Sequence, residues 1–153
     1  MKRSMSYSIR KSILWAGALA LLFCSCRSAA RKSELSVRDS QASYVLTATA
    51  LADDYAGNPA AADDKYKGKV LFVTGAVDYG EEDLKGGYVL NVRAGTEWYD
   101  VVSCTFSKTQ LNDLLKLTRG DYVRVKGRCA GKNPAVSLTD CILVDEKGAP
   151  IGG

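Results

Sequence analysis

The stretch Leu117-Thr118-Arg119-Gly120-Asp121-Tyr122-Val123-Arg124-Val125-Lys126-Gly127 changes the period of the chain's apolar residues. Before it, Leu111, Leu114 and Leu115 recur at helical spacing. Within it, Val123 and Val125 alternate with Arg124 and Lys126, the pattern of a strand with one face buried. Arg119-Gly120 supplies the cation and the glycine that favour a helix end. A short helix is therefore predicted, opened by the capping box Ser107-Lys108-Thr109-Gln110, with a strand over residues 121–129 behind it.

Working outward, the same alternation marks four more strands. Residues 70–79 place Leu71, Val73 and Val77 on one face and Val70 and Phe72 on the other, so something must cover the outside of this strand. Residues 88–93 turn Tyr88, Leu90 and Val92 inward, and residues 98–106 do the same with Val102, Cys104 and Phe106. A Gly/Asn/Pro turn at 131–134 precedes a last strand over 135–144. Three strands, a short helix and two strands is the order of a mainly β, five-stranded OB-fold barrel, expected over residues 65–146. Ahead of it an Ala-rich helical extension is predicted over 39–57, ended by Gly57-Asn58-Pro59 and well placed to cover the first strand. Residues 60–69 read as a connector, and 147–153 as a frayed tail.

The 153-residue chain carries 21 Lys+Arg against 17 Asp+Glu and no histidine. Lys2, Arg3, Arg10 and Lys11 precede an uncharged run that ends Leu22-Phe23-Cys24-Ser25-Cys26. The run is too short to span a bilayer comfortably and suits a secretory signal. Residues 1–26 resemble the signal peptide and lipobox of bacterial lipoproteins, with Cys26 as the lipidated residue and 27–38 as a tether. Cleavage after Ala30 by an ordinary signal peptidase and an uncleaved anchor are the alternatives. Arg27 after the cysteine implies, by the same resemblance, the outer membrane. Without this leader 17 basic residues face 17 acidic ones, so the net charge of +4 carries no argument for nucleic acid.

More closely, residues 51–144 resemble the tRNA_anti-like family of OB domains. The likeness is carried by Tyr55, Asn58, Ala62-Asp63, Lys65-Tyr66-Lys67-Gly68-Lys69, Val73-Thr74-Gly75 with Val77, Cys104 with Phe106, Gly120-Asp121, Gly127 with Cys129 and Gly131, and Leu138 with Asp140-Cys141. The resemblance implies the fold and brings no catalytic residue with it.

Chemistry-bearing groups are few. Without histidine the commonest general base and zinc ligand are missing, and cysteine spacings of 25 and 12 do not suit a metal cage. No nucleophile–base pair or phosphate loop is present either, so neither an enzyme nor a cofactor is expected. In an exported chain Cys104, Cys129 and Cys141 are disulfide candidates. Cys129–Cys141, near the ends of neighbouring strands, is the expected pair; Cys104–Cys141 and three buried thiols are the alternatives.

Partner contact is expected at Tyr79, Trp98 and Tyr99 and in the loops 78–87 and 130–135. Arg124, Lys126 and Arg128 form a basic stripe that reads either as a solvated strand face or as a contact for an acidic partner. Asp78, Glu81, Glu82, Asp83, Glu97 and Asp100 surround the aromatics and oppose a polynucleotide. The expected protein is thus a lipid-anchored binding module of the cell envelope, meeting a protein, peptide or envelope polymer, with an oligonucleotide as the alternative.

Overall fold

The computed structural model describes residues 36–84 and 86–152. The leader, Cys26 and most of the tether lie outside them. After a helical turn at 36–39, the elements in chain order are β1 (Tyr44–Thr47), α1 (Ala48–Gly57), α2 (Pro59–Tyr66), β2 (Val70–Glu82), β3 (Tyr88–Arg93) and β4 (Val101–Phe106). A 3-10 turn (Lys108–Gln110) then runs into α3 (Leu111–Leu114), followed by β5 (Tyr122–Lys132) and β6 (Val136–Leu143). The sheet order is β1-β2-β3-β4-β6-β5, and β5 pairs back onto β2 to close a five-stranded OB barrel with β1 as an added strand.

The barrel closes because β2 is long enough to serve two neighbours. Its first half pairs with β5, from Val70 opposite Arg128 to Ala76 opposite Tyr122. Its second half pairs with β3, and the register slips between Val77 and Tyr79. Gly75 lies two residues before this slip, where a Cβ would lie 2.6 Å from Val92 Cγ1, so the close approach requires glycine. Leu71, Val73, Leu90, Val92, Val102, Phe106, Val125 and Leu138 fill the interior.

The stretch read as one helix from residue 39 divides in two. Tyr44–Thr47 form β1, paired parallel to Leu71–Thr74 of β2, because the outer edge of that half of β2 is open beside the end of β3. Thr47 then caps α1, accepting from the Ala50 N–H at 3.1 Å, and Ala48, Leu51 and Tyr55 enter the barrel core. Residues 60–66, read as a connector, belong to α2. Asn58 ends α1 by donating its N–H to Asp54 O and starts α2 by accepting from the Ala61 N–H, with Pro59 in the first turn.

The outside of β2 is covered by residues 36–39 and 145–151, where the helix was expected. Val37, Val70, Ile142 and Val144 are buried outside the interior cluster. Residues 145–151 fold back, with Asp145 Oδ1 accepting from Lys147 and Ala149 and Ile151 N–H donating to Leu143 O. A Cβ on Gly148 would lie 3.1 Å from the Phe72 ring on the outer face of β2. Residues 147–151, expected to fray, are therefore held.

Candidate functional site

Backbone geometry decides where the aromatics stand. The segment read as the start of the third strand, residues 98–100, is instead part of a tight loop between β3 and β4. Ala94 N–H donates to Asp100 O at 2.7 Å and Asp100 N–H to Glu97 O at 3.1 Å. Gly95 packs on Asp100, where a Cβ would meet the carboxylate at 2.5 Å. Trp98 and Tyr99 are thereby lifted out of the sheet. They are 79% and 59% exposed and stack edge to face with centroids 5.6 Å apart. Tyr79, on β2 opposite Asn91, is 48% exposed, whereas Tyr88 is core as its parity required.

Beside this loop lies a charge cluster absent from the sequence reading. Asp78 is only 8% exposed, and its Oδ1 accepts from Arg93 at 2.9 Å and from Arg119 at 2.8 Å. The Arg93 bond is the main cause holding the Asp78 carboxyl below its usual range; burial opposes this and Arg119 assists it. Arg93 ends β3, and Arg119 precedes Tyr122, itself exposed at the start of β5. One carboxylate thus serves two guanidiniums, which offset the charge of Asp78, while Glu97 and Asp100 remain in the aromatic loop itself. The signal in the sequence was faint: Arg93 and Arg119 stand 26 residues apart and meet only through the closure of β2.

The basic stripe is engaged within the molecule. Arg124 donates to Glu146 O at 2.7 Å, and Lys126 to Arg38 O at 2.8 Å. Arg128 donates to Gly68 O and to Ser36 Oγ. Lys126 is 6% exposed, lies over the Phe72 ring and is lowered in pKa by that burial. On the strand face expected to be solvated, or open to an acidic partner, these three side chains bond to Ser36, Arg38, Gly68 and Glu146 of the same chain.

Cys104, Cys129 and Cys141 are buried thiols. The expected Cys129–Cys141 pair is not formed, because register places Cys129 opposite Leu138. Cys129 Sγ lies 3.4 Å from the Tyr55 hydroxyl, which donates to Asp63 Oδ1 at 2.9 Å. Burial, then Cys129, then Asp63 push the Tyr55 hydroxyl far above its ordinary value. Tyr66 donates to Asp54, which also pairs with Lys65 at 3.0 Å. These tyrosines lock α1 and α2 to the barrel. A shallow depression on the helix pair is lined by Asp54, Gly57, Asn58, Ala61 and Lys65. Among the described residues no group of three or more metal-ligating side chains converges, and no helix is long and apolar enough to cross a membrane.

Comparison with known proteins agrees with this architecture. A family model described as tRNA_anti-like matches residues 1–143. No curated protein sequence matches the chain. Among solved structures, a "putative nucleic acid-binding lipoprotein" from Klebsiella pneumoniae subsp. pneumoniae superposes with a TM-score of 0.54 at 18% identity. The match covers 66% of this chain and 91% of that one. At that identity the likeness concerns the fold.

Proposed function

The chain belongs to the tRNA_anti-like family, and on that premise we propose that it is a non-catalytic binding module, exported and held at the cell envelope by a lipid on Cys26. The partner is a protein, peptide or envelope polymer, met through Trp98, Tyr99 and Tyr79. One observation carries this reading: a Trp/Tyr pair held outward, edge to face, by a hydrogen-bonded loop. Aromatic rings on a rigid loop give contact area at small entropic cost, the usual make-up of interface anchors. The outer membrane is the proposed address, from Arg27 behind the lipobox.

Two measurements test it. Intact mass of the chain extracted from membranes is expected to show a diacylated or triacylated protein starting at Cys26; a soluble chain starting near Arg31 removes the anchor. Crosslinking in cells followed by co-purification is expected to capture partners that Trp98→Ala with Tyr99→Ala loses. Equal capture by that double variant places the contact elsewhere.

A second reading is a single-stranded oligonucleotide at the same face. It draws on the arginines beside the aromatics and on the name of the Klebsiella protein. Stacking rings beside cations are what such ligands need. Its mark is affinity that falls steeply with salt and depends on Arg93 and Arg119 more than on Arg124 or Lys126. Absent or salt-insensitive binding removes it.

A further inference from the structure

We propose that Arg93 and Arg119, held side by side by Asp78 at the bulge in β2, form a clamp for a single carboxylate carried by a peptide or protein partner. This rests on the reading of the protein as a binding module and names the chemistry that one part of its surface takes. Between the pairs Val77–Val92 and Tyr79–Asn91, β2 has one residue more than β3, and that residue is Asp78. A bulge re-aims the side chain it carries. Asp78 accordingly meets Arg93 from β3 and Arg119 from the turn before β5. That turn is fixed against β2, with Gly120 N–H donating to Val77 O at 2.9 Å and Val77 N–H to Asp121 O at 2.8 Å.

The cluster holds more cation than its own carboxylate uses. Both guanidiniums donate to the same oxygen, so their bonding nitrogens stand within about 6 Å of each other. A guanidinium has five N–H donors, and among the described residues neither arginine has a partner besides Asp78. Their side chains are 44% and 71% exposed, so the remaining donors are open to a ligand. Asp121 does not cancel the surplus, since its carboxylate accepts from the N–H and hydroxyl of Thr118 in its own turn. One positive charge is left over, on two planar forks whose geometry matches a carboxylate. Tyr79 stands opposite Asn91, two residues from Arg93 on the same face of β3, and offers an exposed ring diagonal to the clamp.

The surroundings limit the ligand to one anionic group. Glu81 and Glu82 end β2, and Glu97 and Asp100 occupy the loop between β3 and β4. A polynucleotide laid across this face brings successive phosphates toward those carboxylates. A single carboxylate, whether a Glu or Asp side chain or the C-terminus of a chain, meets the clamp alone.

The test is an NMR titration of the full chain, isotope-labelled and extracted in detergent, that follows the side-chain Nε–Hε resonances of Arg93 and Arg119. One short peptide carries a single glutamate and an amidated end, a second a free C-terminal carboxylate and no acidic side chain, and a third neither. The first two are expected to move both resonances saturably and the third to move neither; a response to only one of the two identifies the source of the carboxylate. Arg119→Gln, at an exposed position, is expected to weaken this binding about tenfold. Arg119→Lys keeps the charge without the fork and is expected to lose nearly as much. Trp98→Ala with Tyr99→Ala is expected to leave it unchanged, so failure of the clamp is distinct from failure of partner capture. No movement with either carboxylate peptide, or equal binding by Arg119→Gln, overturns the proposal and makes the cluster a structural ion pair. Movement with oligothymidylate alone also overturns it and assigns the arginines to phosphodiesters.

Discussion

Single residues do two kinds of work in this molecule, and Tyr55 and Asp78 exemplify them. Tyr55 is fully buried, and its hydroxyl joins α1 to Asp63 of α2 and to Cys129 of β5. Tyr55→Phe removes that hydroxyl with little change in volume and leaves Asp63 with Lys67 alone. A loss of about 1–2 kcal/mol is expected, read as a lower urea midpoint with an unchanged slope. Asp78 acts through charge. Its folded pKa lies below the unfolded value, so its contribution is in full force above about pH 4. That contribution is lost as pH falls through the lower folded value. Both arginines are substantially exposed, so Asp78→Asn is expected to cost only about 1 kcal/mol at pH 7. The difference from the parent should shrink as pH falls below about 4 in paired urea titrations; a gap that does not shrink contradicts an ionic role.

At the scale of elements, caps rather than propensity draw the boundaries. Asn58 closes one helix and opens the next through its N–H and its side-chain oxygen. Asn58→Ala keeps the first bond and loses the second, so a destabilisation of about 1 kcal/mol is expected. Faster amide exchange should be confined to Pro59–Tyr66; exchange that spreads to α1 would show that the helices open together. The capping box at Ser107 behaves differently from its sequence reading. Ser107 Oγ accepts from Thr109 N–H, but Gln110 turns into the core and its Oε1 accepts from Leu143 N–H at 3.0 Å. Nearness of β6 outcompetes the local bond, because a buried strand N–H left without a partner costs more than an exposed helix start.

Across the whole molecule, the basic stripe of β5 is a clasp for the segments at 36–38 and 145–146. Lys126 and Arg128 hold the segment at Ser36 and Arg38, and Arg124 holds the C-terminal turn at Glu146. Lys126→Met with Arg128→Gln keeps the apolar stems and removes the charges. Limited proteolysis is expected to cut residues 36–43 several times faster in this variant, with the barrel's thermal midpoint lowered by only a few degrees. Equal cutting would mean that Val37 alone holds the segment.

Much of this protein was decided locally. Alternation in Val70–Glu82, Tyr88–Arg93 and Tyr122–Lys132, and the helix placed before the fourth barrel strand, follow from period and turn residues, which is why the barrel was legible. Trp98 and Tyr99 were read as a strand start with at least one ring in water, and it is the loop closed between Ala94 and Asp100 that turns both outward. Tertiary structure decided the rest, since each remaining feature depends on residues far apart in the chain. β1 is a strand because β2 offers an open edge to a stretch whose composition suits a helix. Asp78 is neutral in effect because barrel closure brings Arg93 and Arg119 to one oxygen. The bulge at Asp140 brings Cys141 opposite Phe106 and leaves Cys129 opposite Leu138, a one-residue slip that alternation cannot register. The stripe on β5 has the spacing of a solvated face, and it is residues 36–38 and 145–146, distant in sequence from it, that bond to it.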